Sequence, residues 1–267
     1  MKQYIPTHDI VLITLDTLRY DVAVAEWTNG GTPNLRALLP HGWQERHSPG
    51  SFTYAAHQAM FAGFMPTPAT PGPHGRLFAA RFAGSETTTE QTFTFDAPEI
   101  VTGLAQVGYR TMCIGGVGFF NRQTALSCVL PDLFHEAYWE PRLGVTEPRS
   151  TEFQVALAVE RLQAIPAEQR IFLFINISAL HQPNCHYLAG ATGDTLASHA
   201  AALRYVDRQL PTLFAALRRR NPSFLMICSD HGTAYGEDGF SGHRLAHPTV
   251  WTVPYADCCL EEAHASA

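Results

Sequence analysis

Apolar and polar positions follow one another along this chain in blocks whose lengths separate strands from helices. Ile10-Val11-Leu12-Ile13-Thr14-Leu15 is a nearly continuous apolar run that ends in Asp16. A short, branched, apolar run of this kind reads as a strand buried on both faces. Phe224-Leu225-Met226-Ile227-Cys228 is a second such run, followed by Ser229-Asp230-His231-Gly232. Ile171 to Ile177 is a third, and its length and branched residues predict a central strand. Arg110 to Ile114 predicts a shorter strand stopping at Gly115-Gly116. Between the strands the spacing becomes helical. A short helix is expected over 33–39, with Thr32 as cap and Pro33 in its first turn. Further helices are expected from near Thr53 to near Gly63, from Ala97 to Val107, and from Thr151 to Ile165 with Ser150 or Thr151 as cap. Leu196 to Arg220 reads as a long amphipathic helix interrupted at Pro211. Val250 to Cys259 reads as a last strand whose Pro254 favours an edge or a bulge. Residues 64–95, rich in Pro, Gly and Thr, predict a long surface loop, and 116–150 are irregular.

Strands alternating with helices at this spacing imply an α/β fold, a three-layer αβα sandwich around a mostly parallel sheet. No repeat or composition break divides the chain, so one domain over 1–267 is expected. At 46% hydrophobic and 16% charged residues the chain can bury a full core. A net charge of −6 leaves no basic field and excludes a general nucleic-acid binder. Arg218-Arg219-Arg220 reads as ordinary cationic partners of a helix C-terminus. The six cysteines form no CxxC pair, so neither a disulfide framework nor a zinc knuckle follows. No apolar run reaches the length of a membrane span, and no signal-peptide pattern precedes the first strand. A cytoplasmic protein with no membrane partner is the expectation.

The chemistry is concentrated at strand ends. Asp16 and Asp230 each follow a buried strand, and His231 stands beside Asp230. An acid and a neutral imidazole side by side can reach one divalent cation, and the glycine after them permits close backbone approach. Open α/β sheets place ligands at this carboxyl edge. Two more patches add candidates: Ser48-Pro49-Gly50-Ser51-Phe52-Thr53-Tyr54-Ala55-Ala56-His57, and Gly242-His243-Arg244-Leu245-Ala246-His247 shortly before Val253-Pro254. Thr53, at the start of its expected helix, reads on its own as a helix cap. His57 lies one helical turn after Thr53, on the same side, as a substrate contact, a proton donor or a satisfied core histidine. His243 and His247, four apart, would share a face on a helical turn and form a pair of metal ligands. Arg244 would neutralise an anionic oxygen. Glu237 and Asp238, between these motifs, read as a solvated loop, with a ligand role as the alternative.

In this order the motifs resemble the alkaline phosphatase and sulfatase superfamily. Asp16-Thr17-Leu18-Arg19-Tyr20-Asp21 matches its strand-end acid followed by "TLRxD", Thr32 to Leu38 its "TPNLxxL", 229–232 its "SDHG", and His247 or His243 its histidine before a "VP" strand. The family places its nucleophile at the start of a helix ten residues before a closing glycine, which here, counting back from Gly63, implies Thr53, with Ser51 the nearest alternative. The resemblance implies metal binding by Asp16, Thr53, Asp230 and His231, with one or two divalent ions (zinc, manganese or iron). It implies His181 as a second-metal ligand or substrate contact, and a structural role for Asp207. It implies a hydrolase of a phosphoester, phosphonate ester or sulfate ester, acting on a small anionic ester through a covalent adduct on Thr53. A phosphomutase or phosphotransferase, and a metal-binding protein without turnover serving a biosynthetic partner, are the alternatives. The chain departs from the sulfatase pattern in carrying no cysteine where "CxPSR" would stand, with His57 at the arginine position. Thr17 replaces a second acid, and only Ser178 stands at the end of strand 171–177. The C-terminal subdomain usual in the family is not expected here.

Overall fold

The computed structural model describes residues 1–65, 71–84, 88–89 and 92–261. Seven strands form the main sheet: β1 (Asp9–Leu15), β2 (Gln44–His47), β3 (Arg110–Ile114), β4 (Glu136–Tyr138), β5 (Ile171–Ile177), β6 (Ser223–Cys228) and β7 (Thr252–Leu260). Their spatial order is β2-β7-β6-β1-β5-β3-β4. β6, β1, β5, β3 and β4 run parallel, and β7 runs antiparallel to both β6 and β2. The eight helices described are α1 (Tyr20–Thr28), α2 (Pro33–Leu38), α3 (Thr53–Ala62), α4 (Ile100–Gln106), α5 (Ala125–Val129), α6 (Ser150–Ala164), α7 (Leu196–Arg218) and α8 (Pro248–Trp251). The expected α/β sandwich is the observed one.

Strand side chains point alternately to the two faces. On β1, Val11, Ile13 and Leu15 pack into a core shared with α1, α2, α6 and α7. Ile10 and Leu12 pack into a second core with Phe61 of α3 and Val101 and Leu104 of α4. Phe172 and Phe174 of β5 and Phe224 and Cys228 of β6 belong to that same face. Extending each row by its period of two brings Asp16, Asn176 and Asp230 to the α3 side of the sheet, at the carboxyl ends of three adjacent parallel strands. The sheet's own geometry thus sets the site.

Several local expectations need correction. β7 is not an edge strand, because β2 covers it. Pro254 is accommodated because its carbonyl accepts Ser229 N–H at 3.0 Å, so its side lacking a donor faces the chain just past the end of β6. α7 runs through Pro211 without interruption. The Thr32 side chain does not cap α2. The Asp207 carboxylate accepts the backbone N–H groups of Asn34 (3.2 Å) and Leu35 (2.7 Å) instead, which gives that acid a structural role. In the expected loop 64–95, Phe78–Ala79 and Phe93–Thr94 pair as a short parallel ladder, while 66–70, 85–87 and 90–91 lie outside the described residues.

Candidate active site

Thr53 opens α3, so its hydroxyl stands at the helix head where the first backbone N–H groups have no intrahelical partner. That hydroxyl donates to Asp16 Oδ2 at 3.3 Å and lies 3.3 Å from His231 Nε2. Ligand atoms of Asp16, Asp230 and His231 all fall within 4.8 Å of one another, and all three residues are buried. The His231 tautomer follows from its surroundings: Nδ1–H donates to the Gly232 carbonyl at 2.9 Å, which leaves Nε2 as a bare lone pair facing the cluster. Asp230 Oδ1 accepts the backbone N–H groups of Thr17 (3.2 Å) and His231 (3.0 Å). Asp16 Oδ1 and Asp230 Oδ2 are buried with no hydrogen-bond partner.

Two orphaned carboxylate oxygens, one imidazole lone pair and one hydroxyl converging in a dry place fit a divalent cation. Electrostatics agree. Burial, then the charge of Asp230, pushes Asp16 up to about 6, and burial pushes Asp230 up to about 6. Burial lowers His231, which favours its neutral imidazole. A bound cation would supply the positive charge these carboxylates lack. Zinc, manganese and iron all suit this mixed nitrogen and oxygen donor set.

The supporting residues explain why the cluster holds its shape. Asn176, inside β5, donates through Nδ2 to Asp16 Oδ2 at 3.1 Å and to Thr14 Oγ1 at 3.2 Å. Sequence reasoning missed it, although a lone amide inside an otherwise apolar strand is a readable signal. A Cβ on Gly116 would overlap the Asn176 carbonyl, and one on Gly232 would overlap the Thr249 carbonyl, so glycine at both places permits close backbone approach. Ser48 donates to the Asp230 carbonyl and so ties the strand before α3 to the loop after β6. Thr17 adopts φ 64°, a left-handed conformation costly for a β-branched residue, and that turn is what aims its N–H at Asp230.

His57 requires a correction. It is fully buried, its Nδ1–H donates to the Thr53 carbonyl at 2.7 Å, and its Nε2 accepts from Thr14 Oγ1 at 3.1 Å. Its ring meets Phe61, Phe120 and Phe174 edge-on at 5.3–5.8 Å. Both nitrogens are occupied and neither reaches solvent, so His57 holds Thr53 from below instead of touching substrate. Burial drives it down to about 4, so it is neutral at pH 7.

The expected His243 and His247 pair also dissolves. Residues 243–246 are not helical, and α8 begins only after His247. His247 caps α8 through Thr249 and bonds Asp238 through Nε2 at 3.1 Å. His243 instead lies tilted 4.6 Å from the His231 ring and edge-on 5.5 Å from the His181 ring, centroid to centroid. His181, His243, Arg244 and Thr53 line one cavity of about 370 Å³. Its opposite wall is built by the segment 117–127 and Val145. The ester candidates and the cation cluster therefore share Thr53 as their common member. Ser51 contributes its carbonyl to Arg244 N–H at 2.8 Å, with no recorded hydroxyl contact to the cluster.

A second missed feature is Arg19. Only 4% exposed, it bonds Asp21 with two nitrogens at 2.9 and 2.6 Å and reaches Glu237 with a third. Glu237 is therefore no solvated loop residue. Burial opposes its ionisation, yet hydrogen bonds from Arg19 and the Tyr235 N–H hold it down at about 2. Glu237 belongs to the turn joining Ala234–Tyr235 to Ser241–Gly242, and His243 and Arg244 follow directly.

Comparison with known proteins supports the fold. The C-terminal periplasmic domain of phosphoethanolamine transferase EptC from Campylobacter jejuni is similar at 15% identity and a TM-score of 0.62, covering 95% of this chain and 80% of its own. The corresponding domain of EcEptC from Escherichia coli, solved in complex with Zn, gives 15% identity and 0.61 over 97% and 73%. The lipoteichoic acid synthase LtaP from Listeria monocytogenes gives 12% identity and 0.60 over 97% and 66%. No curated protein sequence matches the chain. The cytoplasmic expectation is corrected by these relatives, two of which are periplasmic domains. It rests only on the lack of a signal-peptide pattern and an apolar span. Among the described residues no helix is long and apolar enough to cross a membrane. The family model named Sulfatase matches residues 8–255, a stretch containing the whole sheet up to Tyr255 and every residue of the site, and the chain therefore belongs to the Sulfatase family.

Proposed function

We propose that this chain is a metal-dependent enzyme that cleaves a phosphoester by attack of the Thr53 hydroxyl, with water as the final acceptor. The observation that carries the reading is Thr53 Oγ1, 3.3 Å from both Asp16 Oδ2 and His231 Nε2, on a residue that also lines the cavity. Asp16, Asp230, His231 and Thr53 would hold the cation. When bound, it would lower the pKa of a hydroxyl and offset charge on a phosphoryl oxygen.

The remaining roles belong to the chain itself. The Thr53 hydroxyl already points its proton at Asp16, so it loses that proton along an existing hydrogen bond. Attack forms a bond from Thr53 Oγ1 to phosphorus and breaks the bond from phosphorus to the leaving alcohol oxygen, which takes up a proton from solvent. Free N–H groups at the head of α3 and the Arg244 guanidinium receive the other phosphoryl oxygens. His181 donates Nδ1–H to the Gln182 carbonyl at 2.6 Å and so offers Nε2 to the cavity. His243, pushed down to about 3 by burial and its histidine neighbours, is neutral there. Water then attacks phosphorus, the bond from phosphorus to Thr53 Oγ1 breaks, Oγ1 takes back the proton passed to Asp16, and the proton of the water leaves to solvent. Phosphorus is favoured over sulfur because no cysteine stands at the nucleophile position.

Transfer to an alcohol is the second reading. The cavity extends past Thr53 to Leu126, leaving space for an acceptor, and the similar solved proteins are named as transferases and a synthase. The decisive experiment incubates metal-loaded protein with an aryl phosphodiester, quenches in acid and seeks a phosphoryl adduct on Thr53 by peptide mass spectrometry. An adduct on Thr53, absent from Thr53→Ala, supports the reading, whereas full turnover by Thr53→Ala sinks it. Added acceptor alcohols then separate hydrolysis from transfer by their products.

A further inference from the structure

We infer that the substituent carried by the reacting phosphoryl group is uncharged and hydroxylated, a polyol or a sugar, and that the wall built by residues 117–127 binds it. This rests on the proposed phosphoester chemistry at Thr53 and deepens it by naming the class of ester.

The cavity is chemically two-sided. At the Thr53 end it is cationic or neutral, with Arg244, His181 and His243. At the far end Phe119 presents an aromatic shelf, braced from behind by Tyr54 at 5.6 Å and Phe52 at 6.1 Å between ring centroids. Leu126, 49% exposed, extends the apolar surface of the same wall. Beside the shelf lie two amide side chains. Asn121 Oδ1 accepts the Gln123 backbone N–H at 2.9 Å, which fixes its orientation and leaves its Nδ2–H₂ group available. The Gln123 amide has no partner among the described residues, and it too lines the cavity.

This combination decides between headgroup chemistries. Among the described residues the cavity lining holds no carboxylate. The nearest acids of the site, Asp16 and Asp230, are buried in the cation cluster and committed to it. An ammonium-bearing substituent would enter a space containing a guanidinium and no compensating acid, a like-charge arrangement that costs affinity. Hydroxyl groups, by contrast, can accept from Asn121 and exchange hydrogen bonds with Gln123, while C–H faces rest on Phe119. A neutral polar ligand with one apolar face is what an aromatic shelf flanked by amides accommodates.

The test uses two phosphodiesters that share a p-nitrophenyl leaving group and differ only in the retained ester, one glyceryl and one aminoethyl. Metal-loaded protein is expected to process the glyceryl ester with kcat/KM at least about tenfold higher, the effect of one unfavourable charge contact in a partly exposed cavity. Gln123→Ala should lower the glyceryl value more than the aminoethyl value, so that the ratio falls. Val145→Glu, which adds a carboxylate to the lining, should move the ratio toward the aminoethyl ester. Calorimetric binding of the products glycerol phosphate and phosphoethanolamine gives a readout without turnover, with glycerol phosphate expected tighter. Equal or better use and binding of the aminoethyl compounds overturns the inference while leaving the Thr53 chemistry standing. No adduct, no turnover and no binding of either compound removes the phosphoester reading, and this inference with it.

Discussion

The two regions that meet at Thr53 are built in opposite ways. On one side Asp16, Asn176 and Asp230 finish side-chain rows of three parallel strands and are fully buried. Their positions are set by ladder hydrogen bonds and by a core that includes Phe174, Phe172 and Leu12. On the other side the cavity is lined by a three-residue helical turn at Gly118–Phe120, by the five-residue α5, and by His243 and Arg244, which follow a hairpin of two-residue strands. The first region is a lattice and the second is a set of loops tied down at single points. In the proposed function, chemistry that tolerates little displacement would sit on the lattice, while recognition, which differs from substrate to substrate, would sit on the loops. The division predicts that substitutions at the strand ends change rate and metal binding by orders of magnitude. Substitutions in the wall should change substrate preference by small factors.

Thr53→Ala should produce the largest effect. Losing the attacking hydroxyl is expected to lower turnover at least about a thousandfold while the fold persists, since the α3 core contacts of Phe61 and Ala59 are untouched. Asp230→Asn comes next. With one ligand charge removed, metal content by elemental analysis should fall and turnover should drop at least about a hundredfold. Stability moves the other way. Burial raises Asp230 from 3.8 to about 6, so the ionised group destabilises the metal-free fold once pH exceeds that range. The metal-free variant should therefore be more stable than metal-free wild type at pH 7, by up to about 3 kcal/mol, and the gain should vanish near pH 4. A metal-free variant that melts lower at pH 7 would show that Asp230 stabilises the fold without a cation.

His57 offers a sharper probe of the lattice because it is buried yet titratable. Its folded pKa of about 4 lies below the ordinary 6.5, so stability present above pH 6.5 is lost as pH falls toward 4. The window is worth about 3 kcal/mol. His57→Gln keeps hydrogen-bonding capacity toward the Thr53 carbonyl and cannot be protonated. Urea midpoints at pH 7 and pH 4.5 should thus converge for the variant and diverge for wild type, with His199 and His243 supplying the acid sensitivity that remains.

What the sequence made legible follows the same division. The strand-end acids could be read because buried parallel strands are nearly pure apolar runs, and any acid that terminates one is conspicuous. Asn176 hid inside its strand because both faces of β5 are buried, so no alternation marked which side it took. His57 shares a helical side with Thr53, but spacing alone could not show that this side faces Thr14 beneath the nucleophile and not the cavity above it. His247 and His243 were paired by their interval, which holds meaning only on a helix, and the backbone between them is a bend with Arg244 at φ 69°. The wall at 117–127 carried no periodic signal, since two short turns impose neither a period of two nor one of 3.6. The Arg19–Glu237 contact joins residues more than two hundred positions apart, and no local pattern encodes such a pair.

Arg19→Lys tests the boundary between the regions and should have the smallest effect. Arg19 lies three residues after Asp16, yet its guanidinium reaches across to Glu237 in the hairpin and to the Thr233 carbonyl at 3.5 Å. It also grips Asp21 with two nitrogens, a geometry a planar fork provides and a single ammonium cannot. Lysine keeps the charge but must abandon some of these partners, so the hairpin loosens where it leads into His243 and Arg244. Arg244 remains pinned by one backbone bond to the Ser51 carbonyl. The expected result is a KM raised about three- to tenfold with kcat within about twofold and metal content unchanged, because the cation cluster does not touch the hairpin's far end. Arg19→Ala should enlarge the KM effect in the same direction. If kcat and metal content fall instead, Arg19 acts through the Asp16 turn, and the wall and the lattice are one mechanical unit.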